Sequence, residues 1–258
     1  SGRGTTALQH LAEIIDSGDE HALFWSAQAH ILRADLRQAA ALFGRLKQAA
    51  NAELRHRSLL SLAHILVALG GPTEAEALLQ SAFPTPGQIP LSQEARLLHV
   101  SILLDQNKLS EASALLETGV EPSDRQQQIH ILYLRAQLAR RDDSKKAIPL
   151  YRDIVEDKKP VPPLLRHLAQ VSLAECLHET GSPEDAIETL VSLLDTQPRS
   201  ALLESAFHLL HSWASTEALK KRVEGQLALW ANFSPPSENA PQPGGGELVV
   251  SPGTEVRT

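Results

Sequence analysis

The chain contains one cysteine, Cys176, and no methionine. A single thiol excludes a disulfide framework within the chain and any zinc site built from several cysteines. Aromatic residues make up only 4% of the sequence, and β-branched runs bounded by turn residues are nearly absent before residue 247, which argues against a sheet protein and for an all-α class. No stretch approaches the roughly 18 apolar residues that a membrane span needs. The first residues, SGRG, show neither the basic segment nor the apolar core of an export signal, and with Ser1 in place of an initiating methionine a native start further upstream is expected. The compartment is left open by these features. A formal net charge of −7 gives no general attraction to polyanions, so no nucleic-acid partner is expected.

What the chain does have is 42% hydrophobic residues, dominated by Ala and Leu, enough for a sizeable core. They are arranged periodically. In "GSPEDAIETLVSLLDTQP", residues 181–198, Ala186 stands four residues before Leu190 and seven before Leu193, the spacing of one face of an amphipathic helix with a small residue at the tightest point. The pattern returns as Ala39, Phe43, Leu46, as Ala75, Leu79, Ala82, and as Ala147, Tyr151, Ile154. It returns in part at Ala112 and Leu116, and weakly at Ala218. These small residues are separated by 36, 37, 35, 39 and 32 positions, a period in the mid-thirties that signals structural repeats. A second helical segment precedes each one across a short turn such as "ALGGPTEA" or "DQNKLSEA". A lone helical hairpin cannot bury both faces, so the units are expected to stack into a solenoid with a continuous core.

The unit resembles the tetratricopeptide repeat, with its W-x2-L-G-x2-Y, A-x3-F and final P. The best match carries Leu173, Ala174 and Leu177, then Ala186, Leu190 and Pro198, with Gln170 at the usual bulky first position. The next carries Leu59, Leu62, Ala63, Leu66, Ala75 and Leu79. The resemblance spans roughly residues 5–231 and implies a right-handed α-solenoid of about six stacked hairpins. Ala7, Leu11 and Ile14 fit a second helix with no first helix before it, so the chain reads as opening on a half repeat. Around Val100 and Arg135 the strict register places a large residue where a small one belongs, and a slide of one brings Ser101 or Ala136 there instead. A capping helix is expected over about 216–231, closing a repeat domain of 1–232. The Pro-, Gly- and Ser-rich tail 233–258 is expected to be disordered, and "PTPGQIP", residues 84–90, to form an exposed loop.

No standard catalytic or nucleotide-binding motif occurs, so neither an enzyme nor a cofactor is expected. His208 and His211 share a helix face without a carboxylate or cysteine at ligand spacing, and no metal site is expected there. Cys176, amid Leu173, Ala174 and Leu177, reads as a buried small hydrophobe rather than a nucleophile. In the family that the repeats resemble, first helices line a concave groove that takes a peptide. Position by position, that resemblance implies a groove of His21, Phe24 and Gln28 in the first complete unit and Arg57, Leu60 and His64 in the second. It implies Tyr133, Gln137 and Arg140 in the fourth, in the shifted register, and Val171, Glu175 and His178 in the fifth. Such a surface offers apolar anchors beside groups that satisfy a peptide backbone. The expected function is a non-enzymatic scaffold for a protein or peptide partner, without membrane insertion. The alternative is the recognition arm of a multidomain enzyme or signalling protein whose catalytic part lies upstream.

Overall fold

A computed structural model describes residues 19–83, 92–118, 122, 124–196 and 201–213, together with five helical positions between 220 and 228. Among these residues the chain is helical throughout. Its helices are α1 (Glu20–Leu32), α2 (Leu36–Arg45), α3 (Ala52–Ala68), α4 (Pro72–Ala82), α5 (Ser92–Asp105), α6 (Leu109–Glu117), α7 (Arg125–Asp142), α8 (Ser144–Val155), α9 (Pro163–Glu179), α10 (Pro183–Thr196) and α11 (Ala201–Trp213). The chain divides after Leu190 into two compact units. The loop 84–90, the half repeat carrying Ala7, Leu11 and Ile14, the register position Ala218 and the tail 233–258 lie outside the described residues. Of the capping helix, only Lys220, Lys221, Glu224, Gly225 and Ala228 are described, all helical and exposed.

Local chemistry sets where the helices start. Asp19 accepts hydrogen bonds from the amides of His21 and Ala22, Asn51 from Leu54, Asp124 from Gln127 and Asp143 from Lys145, each satisfying donors that a helix N-terminus leaves free. Pro72 opens α4 and Pro163 opens α9, where the missing N–H costs nothing.

The turns inside the hairpins repeat as closely as the helices. Ala34, Gly70, Asn107 and Gly181 all have positive φ, between 59° and 89°. In each case the next amide reaches back across the turn: Asp35 to the carbonyl of His30, Gly71 to Leu66, Lys108 to Leu103 and Ser182 to Leu177. This closure uses carbonyls that the helix end leaves unpaired. The fourth hairpin is built differently. Between α7 and α8 only Asp143 intervenes, extended at φ −155°, with no left-handed residue.

The shorter connection accounts for the register slip of the fourth hairpin. The tight positions on the first helices are Ala27, Ala63, Val100, Ala136 and Ala174, each completely buried. Their partners on the second helices, Ala39, Ala75, Ala112, Ala147 and Ala186, are also 0% exposed. The two members lie twelve residues apart in four hairpins and eleven apart in the fourth. Ala136 therefore holds the small position there, as the shifted register supposes, whereas the third hairpin keeps the strict register and buries Val100 rather than Ser101.

Ala34 is the one turn residue with a Cβ and no polar side chain to compensate a left-handed backbone. It is exposed, so nothing packs on its methyl. Ala34→Gly is expected to raise the unfolding free energy by about 0.5–1 kcal/mol, the steric relief exceeding the added unfolded-state entropy. The urea midpoint of the variant checks this.

Within residues 19–190, consecutive helices from α1 to α9 pack against each other, and the core passes from hairpin to hairpin. One cluster joins α1 and α2 to α3 through Leu23, Phe24, Ala27, Phe43 and Leu62. A second joins α3 and α4 to α5 through Ala63, Ala75, Leu79, Ala95 and Ile102. A third joins α5 and α6 to α7 through Leu97, Val100, Leu104, Leu116 and Leu134. Odd-numbered helices also touch the next odd one: α1 meets α3, α3 meets α5, α5 meets α7 and α7 meets α9. Among the described residues nothing comparable links α2 to α4, α4 to α6 or α6 to α8. The odd helices are therefore the closely spaced inner layer of a solenoid and the even ones its outer layer. In the second unit, α11 buries Ala206, Phe207 and Leu210, while His208 and His211 are exposed.

Candidate functional site

The inner layer is best read in columns, because each position recurs at the repeat spacing. Three residues before the tight position stand Phe24, Leu60, Leu97, Tyr133 and Val171. The sequence places four of these in an accessible groove. The structure turns two of them inward: Phe24 and Tyr133 are each only 8% exposed. The cause is a cross-hairpin partner four residues beyond the outer-helix alanine. Phe24 meets Phe43 at 5.7 Å between ring centroids, and Tyr133 meets Tyr151 at 5.9 Å. A ring in this column reaches its opposite number and gains an aromatic contact in the core. Leu60 and Val171, shorter and without such a partner, remain half-buried. The exposed aromatic of α1 is instead Trp25, 60% exposed and edge-on to Phe24 at 5.5 Å.

One residue after the tight position runs a polar column of Gln28, His64, Ser101, Gln137 and Glu175, half-buried apart from the exposed His64. His21 and Arg57 are exposed, and Arg57 pairs with Glu53 on its own helix at 2.8 Å. His178 is half-buried near the end of α9. His130 on α7 is held below the usual histidine range by burial first and then by the charge of His64 on α3.

Three of the expected residues line one pocket and a fourth, Tyr133, lies behind it, where they meet residues that the expected groove does not include. Tyr133 backs a pocket of about 510 Å³ whose wall includes Gln137, Arg140 and Glu175, together with Asp105, Ser144, Tyr151, Ser172 and Glu179. Arg140 organises its rim. One guanidinium nitrogen donates to Glu175 Oε2 at 2.5 Å and another to Glu179 Oε1 at 2.6 Å, while the Ser144 hydroxyl donates to the other oxygen of Glu179. Burial alone would ease the proton off Arg140, but the bonds to Glu179 and Glu175 outweigh it and hold the guanidinium charged. Glu179 is kept below the ordinary carboxylate range: burial works the other way, and the bonds from Ser144 and Arg140 prevail. Half-exposed pairs of this kind fix geometry more than they stabilise the fold.

Behind this rim, Gln137 Nε2 donates to the Tyr133 hydroxyl at 3.2 Å. Burial raises the phenol pKa of both Tyr133 and Tyr151. Cys176, beneath the site on α9, is fully buried and its thiol is pushed up to about 11 by burial, which makes it an inert packing residue. Glu179 and Ser172 carried a usable sequence signal, since Glu179 lies one turn beyond Glu175 and Ser172 one turn before Cys176 on the same helix. Tyr151 and Ser144 did not, because they belong to an outer helix, which the groove expectation leaves out.

A second charged cluster, Glu76 with Lys108 at 2.8 Å and His99 at 3.9 Å, joins α4 to α5 and its following turn. It ties neighbouring hairpins together away from the pocket. Among the described residues no group of three or more His, Cys, Asp or Glu side chains is placed to hold a metal ion. None of the described helices is long and apolar enough to cross a membrane.

No protein-family model matches the chain, and no curated protein matches it significantly. Among solved structures it is similar to BtubC (BKLC) from P. vanneervenii, at 12% identity over 93% of this chain and 94% of that one, with a TM-score of 0.39. The hairpin architecture rests on the helix contacts and not on this likeness. The chain is an all-α protein of paired, sequentially packed helices whose repeat spacing resembles that of tetratricopeptide repeats.

Proposed function

We propose that the chain is a non-enzymatic scaffold that binds a protein or peptide segment along its inner, odd-helix layer. The observation that carries this is the polar column of Gln28, His64, Ser101, Gln137 and Glu175, presented at repeat spacing on helices that touch one another. An extended peptide needs donors and acceptors at regular intervals for its backbone, with shallow apolar contacts between them. Leu60 and Val171 supply the latter. The outer helices offer no equivalent, since each is isolated from the next.

Photo-crosslinking residues introduced one at a time test the reading. At Gln28, Leu60 and Val171 they are expected to capture protein partners from lysate. At the exposed outer-helix positions Ala41, Ala77 and Arg152 they are expected to capture far less. Equal capture from both layers, or capture from the outer one alone, would overturn the proposal.

A further inference from the structure

We propose that the pocket between α5, α7, α8 and α9 is a specificity pocket for a guanidinium group, the side chain of an arginine in the bound segment. The inference rests on the reading of the odd-helix layer as a binding surface and adds which residue that surface selects.

The pocket presents several hydrogen-bonding groups that nothing in the fold uses. Arg140 is occupied, with two nitrogens committed to Glu175 and Glu179. Glu179 has both oxygens engaged. Glu175 uses only Oε2, and Gln137 uses its amide nitrogen on Tyr133, which leaves one oxygen on each. Asp105 brings a further carboxylate from α5. The fourth group is the most telling. Tyr151 is completely buried yet lines the pocket, and its hydroxyl has no hydrogen-bond partner. Ser172 lies close enough to act on both phenols, but its approach to the Tyr151 oxygen falls short of hydrogen-bond geometry. A buried polar atom without a partner is costly to the fold and calls for an occupant that satisfies it.

The unfilled acceptors are therefore Glu175 Oε1, Gln137 Oε1, the Asp105 carboxylate and the Tyr151 oxygen, contributed by four helices. Against these stands Arg141, exposed on α7. Three carboxylates and two guanidinium groups leave the lining net negative, and the carboxylates outnumber the one arginine clamped among them. A carboxylate ligand would face Glu175, Glu179 and Asp105 with Arg140 already spent. A guanidinium has five donors in a plane, no acceptor and a permanent charge, which suits acceptors spread over several walls; an ammonium concentrates three donors at one point. A pocket of about 510 Å³ has room for the side chain and adjacent peptide backbone.

The probes are acetyl-arginine amide, acetyl-lysine amide and acetyl-glutamate amide, titrated into the full chain and followed by the NMR signals of the Gln137 side-chain amide and the Ser172 backbone. Nonapeptide libraries with one fixed Arg, Lys, Glu or Leu are measured in parallel. Arginine amide is expected to give saturable shifts, lysine amide weaker ones and glutamate amide none. Glu175→Gln is expected to weaken the arginine probe by about tenfold or more, the scale of losing one partner of a buried charge pair. The same substitution removes one of the two carboxylates that hold Arg140, so the glutamate probe should gain. Tyr151→Phe is expected to weaken the arginine probe by roughly threefold to tenfold while raising the denaturation midpoint, since it removes an unsatisfied buried hydroxyl. This variant carries the test if Glu175→Gln does not fold. Equal shifts with arginine and glutamate amides, or arginine binding unchanged in either variant that folds, would overturn the guanidinium pocket. If the libraries then still bound on the inner layer without charge preference, the peptide scaffold would stand. If no library bound while arginine amide did, the scaffold reading would fail and the pocket would stand.

Discussion

Phe43→Ala is expected to lower the unfolding free energy by about 3–5 kcal/mol, the range for emptying a buried phenylalanine site. Phe43 is completely buried, and its ring is the contact that draws Phe24 into the core. Removing it opens a cavity among Leu23, Ala27, Ala39 and Leu62, where α1, α2 and α3 meet. Chemical denaturation reads the magnitude, and amide exchange reads where it is felt. Because each hairpin packs mainly on its neighbours, exchange should quicken in α1–α3 while α7–α9 keep their protection. Uniform acceleration would show that residues 19–190 open as one cooperative body.

A paired substitution in α4 separates packing from helix propensity. Ala75→Leu is expected to cost about 1–3 kcal/mol, because Ala75 has no exposed surface and the added atoms must displace Ala63, Leu79 or Ile102. Ala77→Leu, two residues on in the same helix and exposed, should change stability by about 0.5 kcal/mol or less. The side chain introduced is the same, so the difference between the two urea midpoints isolates the close approach. Equal midpoints would mean that the small residue is not what sets the hairpin spacing.

The repeat was legible because it rests on volume. Only a small side chain fits where two helices cross most closely, and Ala39, Ala75, Ala112, Ala147 and Ala186 mark those places in the sequence as they do in the fold. The surface was harder to read. Phe24 and Tyr133 stand at the shoulder between groove and core, and their side depends on what faces them from twelve or more residues away. A column that admits Leu60, Val171 and two rings has no pattern of its own. The fourth register was ambiguous because a turn shortened by one residue leaves no mark in the hydrophobic pattern of either helix. Tyr151 was read correctly as a core residue, but that it would line one pocket with Glu175 and Gln137 depends on three helices meeting, which no local pattern encodes.

The relay of contacts from each helix to the next two also bears on how the chain reaches its native state. Among the described residues, every extensive helix contact within 19–190 is between helices adjacent or next-but-one along the sequence, so no distant ends must find each other before contacts begin to form. Low contact order of this kind places refolding in the microsecond-to-millisecond range. It also allows the hairpins to form in the order in which they leave the ribosome, each arriving on a neighbour that is already folded.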